Sequence, residues 1–154
     1  EEEALKIASA FSRDNGRTPM QWSQEKNAGF TTGAPWLCVN PDYREINAES
    51  QLKDSDSLLA FYRKLTRLRK DPEYKDTFVY GAFEPYQEET ENLIAYTRQG
   101  EKKLLVMGNL QNQPCKVTLP GECVKVLLDN QAEKAAGEKE LLLKPYEFMV
   151  LEYR

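Results

Sequence analysis

Between Ser12 and Gln51 the chain carries a stretch that can be neither a regular helix nor an ordinary strand. It holds the run Ser12-Arg13-Asp14-Asn15-Gly16-Arg17-Thr18-Pro19-Met20-Gln21-Trp22 and then Asn27-Ala28-Gly29-Phe30-Thr31-Thr32-Gly33-Ala34-Pro35-Trp36, in which Gly, Pro, Asn and Thr break every period. The stretch reads as a long ordered loop pinned by aromatic anchors, and long ordered loops usually carry function. A loop of this length needs another surface to support it. Arginine forks that donate to ring hydroxyls, with indoles beside them, are what a sugar pocket requires.

The rest of the chain divides by texture. Glu3 to Phe11, with Ala4, Leu5, Ile7, Ala8 and Phe11 apolar, suits a short helix with an acidic first turn. Leu58, Phe61, Tyr62, Leu65 and Leu68 recur at helical spacing, with Asp54, Ser55 and Asp56 as N-cap candidates. Lys64, Arg67, Arg69 and Lys70 suit its C-terminal end, and Asp71-Pro72 stops it. Beyond Pro72 short β-like runs alternate with turns, which predicts a boundary near Asp71 to Asp76. The expected strands are Phe78 to Glu84, Leu93 to Arg98, Lys103 to Asn109, Cys115 to Leu119, Val124 to Leu128, Glu140 to Leu143 and Phe148 to Tyr153. Gln99-Gly100-Glu101, Pro120-Gly121 and Pro145-Tyr146 mark turns, and Glu133 to Glu138 reads as an exposed loop. Short strands with regular turns predict an antiparallel sandwich.

Composition narrows the function classes. With 154 residues and a net charge of −4 the chain is mildly acidic, and its basic residues cluster on Arg63 to Lys70. That argues against nucleic acid as a partner. No apolar run approaches the roughly 18 residues of a membrane span. Cys38, Cys115 and Cys123 are odd in number and lack metal or redox spacing, so they read as reduced thiols of a cytoplasmic protein, with a Cys115–Cys123 bridge as the lesser alternative. No metal or other cofactor is expected.

Three motif blocks carry a specific likeness. Arg13 to Trp22, Asn27 to Trp36 and Val39 to Asn47 resemble, in order, the R-D-N-x-R-T-P-M-Q-W, N-A-G-F-T-T-G-x-P-W and V-N-x-x-Y-x-x-I-N patterns of the α-glucosidase branch of the α-amylase superfamily. This is the group of oligo-1,6-glucosidases, trehalose-6-phosphate hydrolases and sucrose isomerases. Asp56 to Lys70 resembles the family's last barrel helix, and Leu143 onward the close of its C-terminal β domain. The resemblance implies an α+β chain: residues 1–72 as the last loop and helix of a (β/α)8 barrel, and residues 73–154 as an all-β antiparallel sandwich. A whole barrel of this kind typically needs about 250 residues. The catalytic Asp nucleophile and Glu acid/base motifs are absent from this sequence, which has no histidine either. A C-terminal piece beginning after the eighth barrel strand is therefore expected, silent by itself but drawn from a retaining hydrolase of α-glucosidic bonds in short oligosaccharides.

In that family pattern Arg13 reaches the glucose of the minus-one subsite and Arg17 lies nearer the plus-one subsite. Both are candidate substrate-binding residues. The alternative is that they form salt bridges with Asp14 or Glu25 that only hold the loop. Asp14 beside two arginines is kept ionised and makes a poor general acid, so no catalytic residue is assigned. Trp22 and Trp36, with Met20 and Phe30, read as hydrophobic pins that fold the loop onto the barrel rather than sugar platforms. Tyr80, Phe83, Tyr86 and Tyr96 read as cross-strand packing rather than a second sugar site. Two rival parents remain: a sucrose isomerase or transglycosylase, and a stand-alone structural or carbohydrate-binding module. The Leu58 to Leu68 stripe separates the last of these, because in a fragment it would be partly orphaned and drive self-association.

Overall fold

The computed structural model describes residues 2–11, 13–131 and 139–154. The chain folds into two compact units, Glu1–Ala60 and Phe61–Arg154.

In the first unit, helix α1 runs over Glu2–Phe11 with Glu2 and Glu3 in its first turn, where their charge favours the positive end of the helix dipole. The chain then proceeds through short 3-10 turns at Asp14–Gly16, Lys26–Gly29 and Pro41–Arg44 to a five-residue helix, α2, over Ala48–Leu52. That helix interrupts the end of the expected irregular segment. Asn47 caps it, its Oδ1 accepting the N–H of Ser50 at 2.9 Å.

Helix α3, Leu58–Lys70, has the expected bounds and the expected basic end. Its cap is Ser57, not the three polar residues before it. The Ser57 hydroxyl accepts the Ala60 N–H at 3.2 Å, and Gln51 Oε1 accepts the Leu59 N–H at 3.0 Å. Asp54 Oδ1 is occupied by the N–H of Asp56 at 2.8 Å, in a turn that precedes the helix. The apolar stripe is largely uncovered, with Leu58 65% and Tyr62 56% exposed.

Phe78 to Tyr80, expected to open a strand, belong instead to helix α4, Lys75–Tyr80. The β-branched and aromatic run Thr77-Phe78-Val79-Tyr80 favours a strand by composition, yet the tertiary setting overrides it. Asp71 starts the turn by accepting from Tyr74 and Lys75, while Tyr74 and Thr77 are buried three positions apart on one side of the turn. Only then does β1 begin, at Ala82–Pro85.

The remaining strands are β2 Leu93–Gln99, β3 Lys103–Asn109, β4 Cys115–Thr118, β5 Cys123–Asp129, β6 Glu140–Leu143 and β7 Phe148–Tyr153. Every pairing is antiparallel, in a sheet of order β1-β2-β3-β7-β5 and a two-stranded sheet β4-β6. Period-two alternation sends Ala95, Leu105, Met107, Met149, Leu151 and Tyr153 of the larger sheet into a core shared with Cys115, Val117, Leu141 and Leu143 of the smaller. This is the sandwich expected from the turns. Residues 133–138, read from sequence as a loop, lie outside the described residues.

Two polar centres brace the sandwich. Asn109 is fully buried and spends its whole side chain: Nδ2 donates to the carbonyls of Gln113 at 2.7 Å and Lys144 at 2.9 Å, and Oδ1 accepts the Gln111 N–H at 3.2 Å. Lys102 bridges Glu73 at 2.9 Å and Glu152 at 3.2 Å, and the Tyr74 hydroxyl donates to the other oxygen of Glu152 at 3.1 Å. Burial, reinforced by the Glu152 carboxylate, pushes the Tyr74 phenol up to about 12. Hydrogen bonding to Glu73 and then Glu152 raises Lys102, while the Lys102 ammonium lowers Glu73.

Candidate functional site

The candidate site is the loop of the first unit, and its order comes from side-chain amides. Gln21 Nε2 donates to Asp42 Oδ1 at 2.8 Å and to the Ile46 carbonyl at 2.6 Å, while the carbonyls of Gln21 and Trp22 accept from Ala48 and Glu49. Asn27 Nδ2 donates to the carbonyls of Thr31 at 3.1 Å and Gly33 at 2.8 Å. Asn47, 2% exposed, donates to the Tyr43 carbonyl at 2.9 Å besides capping α2. Gln21 thus ties the first motif block to the third, while Asn27 and Asn47 each brace their own block.

The backbone at the start of the second block is unusual. Asn27, Ala28 and Gly29 lie consecutively in the left-handed region, at φ of 55°, 58° and 65°. An alanine there costs about 1–2 kcal/mol, and the surroundings hold it. Ala28 is fully buried and its carbonyl accepts from both Trp22 and Ser23. Gly29 has no such freedom to gain a side chain, since a Cβ would come within 2.6 Å of Ser23 Oγ.

The aromatic residues do not pin the loop within this chain. Trp22 is 53% exposed and Trp36 85%, and Met20 and Phe30 are about as open as Trp22. The sequence reading has them pin the loop onto the barrel, most of which lies outside this chain, and their exposure here does not test that role. It passed over Gln21, Asn27 and Asn47, which nothing in the sequence sets apart from the other amides of the blocks, Asn15 and Asn40.

Arg13 and Arg17 flank the Asp14–Gly16 turn, both exposed. The Arg13 carbonyl accepts the Gly16 N–H at 3.1 Å and Arg17 Nε at 3.3 Å, and Arg17 Nη2 lies 2.7 Å from Asp14 Oδ1. Arg17 therefore makes the Asp14 salt bridge that the structural alternative named. The Arg13 guanidinium meets no acceptor among the described residues. The turn presents it to solvent from a loop whose far side is fixed by Gln21. A fork so presented can bind a carboxylate or a set of sugar hydroxyls. Among the described residues no cluster of His, Cys, Asp and Glu could hold a metal ion. No helix among them is long and apolar enough to cross a membrane.

Residues 1–81 match the model of the alpha amylase catalytic domain, and residues 93–150 that of the alpha-amylase SusG C-terminal domain. The chain belongs to the alpha-amylase family. It holds the end of the family's catalytic domain followed by a C-terminal β domain. It is 40% identical over 147 residues to the oligo-1,6-glucosidase of Bacillus cereus, a match that covers 92% of this chain and 26% of that one. It is 41% identical over 151 residues to the trehalose-6-phosphate hydrolase of Bacillus subtilis strain 168, covering 94% of this chain and 26% of the relative. Among solved structures, the trehalulose synthase MutB of Pseudomonas mesoacidophila MX-45 superposes with a TM-score of 0.90 at 36% identity, over 99% of this chain and 28% of that one. The chain thus spans about a quarter of the length of these family members.

Proposed function

We propose that this chain is the C-terminal portion of a retaining α-glucosidase of the oligo-1,6-glucosidase kind, acting on α-glucosidic bonds of short oligosaccharides. Residues 1–72 would close the catalytic domain and residues 73–154 form its β domain. The observation that carries the reading is Arg13: an exposed guanidinium that meets no acceptor among the described residues, on a loop whose first and third motif blocks are tied by Gln21 and whose second is braced by Asn27. Arg13 donates to hydroxyls of the bound glucose, and Arg17, steadied by Asp14, lies beside the adjoining sugar. The nucleophile and the acid/base, about 5 Å apart in a retaining enzyme, belong to the longer polypeptide, as does the substrate pocket. Alone, the chain turns over nothing. Cys38, Cys115 and Cys123, thiols rather than halves of a disulfide, support a cytoplasmic setting.

The test is Arg13→Ala in the longer polypeptide, assayed on an α-1,6-linked disaccharide. A drop in kcat/KM of roughly 10²-fold, as for loss of a substrate-positioning fork, is expected. Unchanged kinetics, or turnover by the isolated chain, would overturn the reading. The likeness to trehalulose synthase supports a second one, in which the glycosyl group passes to another sugar hydroxyl instead of water. Product analysis with sucrose separates them, since only the second gives an isomeric disaccharide.

A further inference from the structure

A long side chain that no protein group holds at its tip is aimed by its backbone alone. Arg13 is in that position, since its guanidinium meets no acceptor among the described residues. The fold can fix this fork only by fixing the main chain that carries it. A substrate-binding fork gains from being fixed before the substrate arrives.

The backbone hydrogen bonds of the Arg13–Arg17 turn close on the turn itself, Gly16 and Arg17 donating to the carbonyls of Arg13 and Asp14. They set its shape but not its place. Thr18, Pro19 and Met20 then lead out of it. Pro19 is buried; its ring fixes its own φ and holds the preceding residue in extended backbone. Three residues of that kind span at most about 10 Å and leave the chain little room to bend.

This stiff link ends at Gln21, the first residue after the turn whose hydrogen bonds, among the described residues, reach a distant part of the loop. Its carbonyl accepts the Ala48 N–H at 2.9 Å, and its Nε2 spends both hydrogens, on Asp42 Oδ1 at 2.8 Å and on the Ile46 carbonyl at 2.6 Å. Asp42 is itself placed, because its carbonyl accepts from Glu45 and Ile46, both at 2.9 Å, at the end of the Pro41–Arg44 turn. A bond from an amide to a carboxylate is charge-assisted and about twice as strong as a neutral one. Main chain and side chain together thus fix the direction in which the backbone runs from Gln21 back to Arg13.

We propose that Gln21 and Asp42 are positioning residues for the substrate arginine. Their bond sets where the Arg13 turn stands relative to the third motif block, and so where the guanidinium meets the sugar. Neither residue touches substrate. The inference rests on the proposed role of Arg13 in binding glucose.

The test is a double-mutant cycle in the longer polypeptide, with kcat and KM measured on an α-1,6-linked disaccharide. Gln21→Leu removes the side-chain bonds and leaves the main-chain bond to α2 in place. It should lower kcat/KM about tenfold, against roughly 10²-fold for Arg13→Ala. The two together should fall no further than Arg13→Ala alone, because a fork that is absent cannot be misplaced. A residue that only stabilised the loop would cut the active fraction equally in both backgrounds. Asp42→Ala should behave as Gln21→Leu does, and Asp42→Asn, whose Oδ1 can still accept, should recover most of the rate. A double variant lowered about 10³-fold, the product of the single losses, would overturn the proposal. So would an unchanged kcat/KM for Gln21→Leu. Should Gln21→Leu fail to fold, Asp42→Ala takes its place in the same cycle with Arg13→Ala. Full activity of Arg13→Ala would overturn the substrate-binding reading and this inference with it, whereas independent losses beside a large effect of Arg13→Ala would refute the positioning role alone.

Discussion

Gln21 and Asp42 meet through a 2.8 Å hydrogen bond that joins the first and third motif blocks across 21 positions. The same amide also binds the Ile46 carbonyl, so one side chain sets the spacing of two otherwise irregular segments. Gln21→Leu removes both bonds, at roughly 1 kcal/mol each. Limited proteolysis should show cuts between residues 13 and 47 appearing several-fold faster, with the β domain as resistant as before.

The Arg17 and Asp14 pair is short but wet, its side chains 54% and 56% exposed. Exposed pairs contribute less than about 1 kcal/mol. Asp14→Asn should leave the melting temperature of the chain unchanged within error. A large loss of stability would mean that the pair, not substrate, explains why Arg17 is there.

Alkaline stability should track the Tyr74 cluster. Tyr74 is raised from 10.0 to about 12 and Lys102 is raised above 10.5, so the folded state holds both protons more tightly than the unfolded chain. Their contribution is complete below the unfolded values and is lost as pH climbs through the folded ones. A thermal melt series should fall by several degrees between about pH 10 and 12, and Tyr74→Phe should flatten that decline. Glu73, lowered by the Lys102 ammonium, acts in the opposite direction, its contribution present above 4.5 and lost as pH falls below that value.

Gly29 and Gly33 offer a matched pair. Gly29 sits at φ 65° with Ser23 Oγ in the path of a Cβ, whereas a Cβ on Gly33 would meet nothing nearer than Thr31 Oγ1 at 3.7 Å. Gly29→Ala should destabilise the loop by about 1–3 kcal/mol, and Gly33→Ala should be close to neutral. Hydrogen exchange of the Trp22 and Ser23 amides, both bonded to Ala28, reads the difference.

What sequence could reveal followed periodicity. The alternation of buried and open positions in β4 and the helical spacing of α3 were visible because each side chain reports on its own neighbours. Helix α4 was not visible, because a short strand-forming run was turned into helix by Asp71 before it and by the burial of Tyr74 and Thr77. Ser57 was hidden among rival cap residues. In the site, Arg13 and Arg17 stood out by residue type, but the Gln21 amide that ties the first block to the third left no local trace, since its partners are 21 and 25 positions away.

Asn109 has a consequence for how the sandwich assembles. Its amide is satisfied only when the end of β3, the turn holding Gln113 and the approach to β7 at Lys144 arrive together. A one-residue slip of β7 would flip its side chains to the wrong face and would also seal an unmatched amide in the interior, at about 1–3 kcal/mol for each lost partner. The residue works as a gauge of the register between β3 and β7.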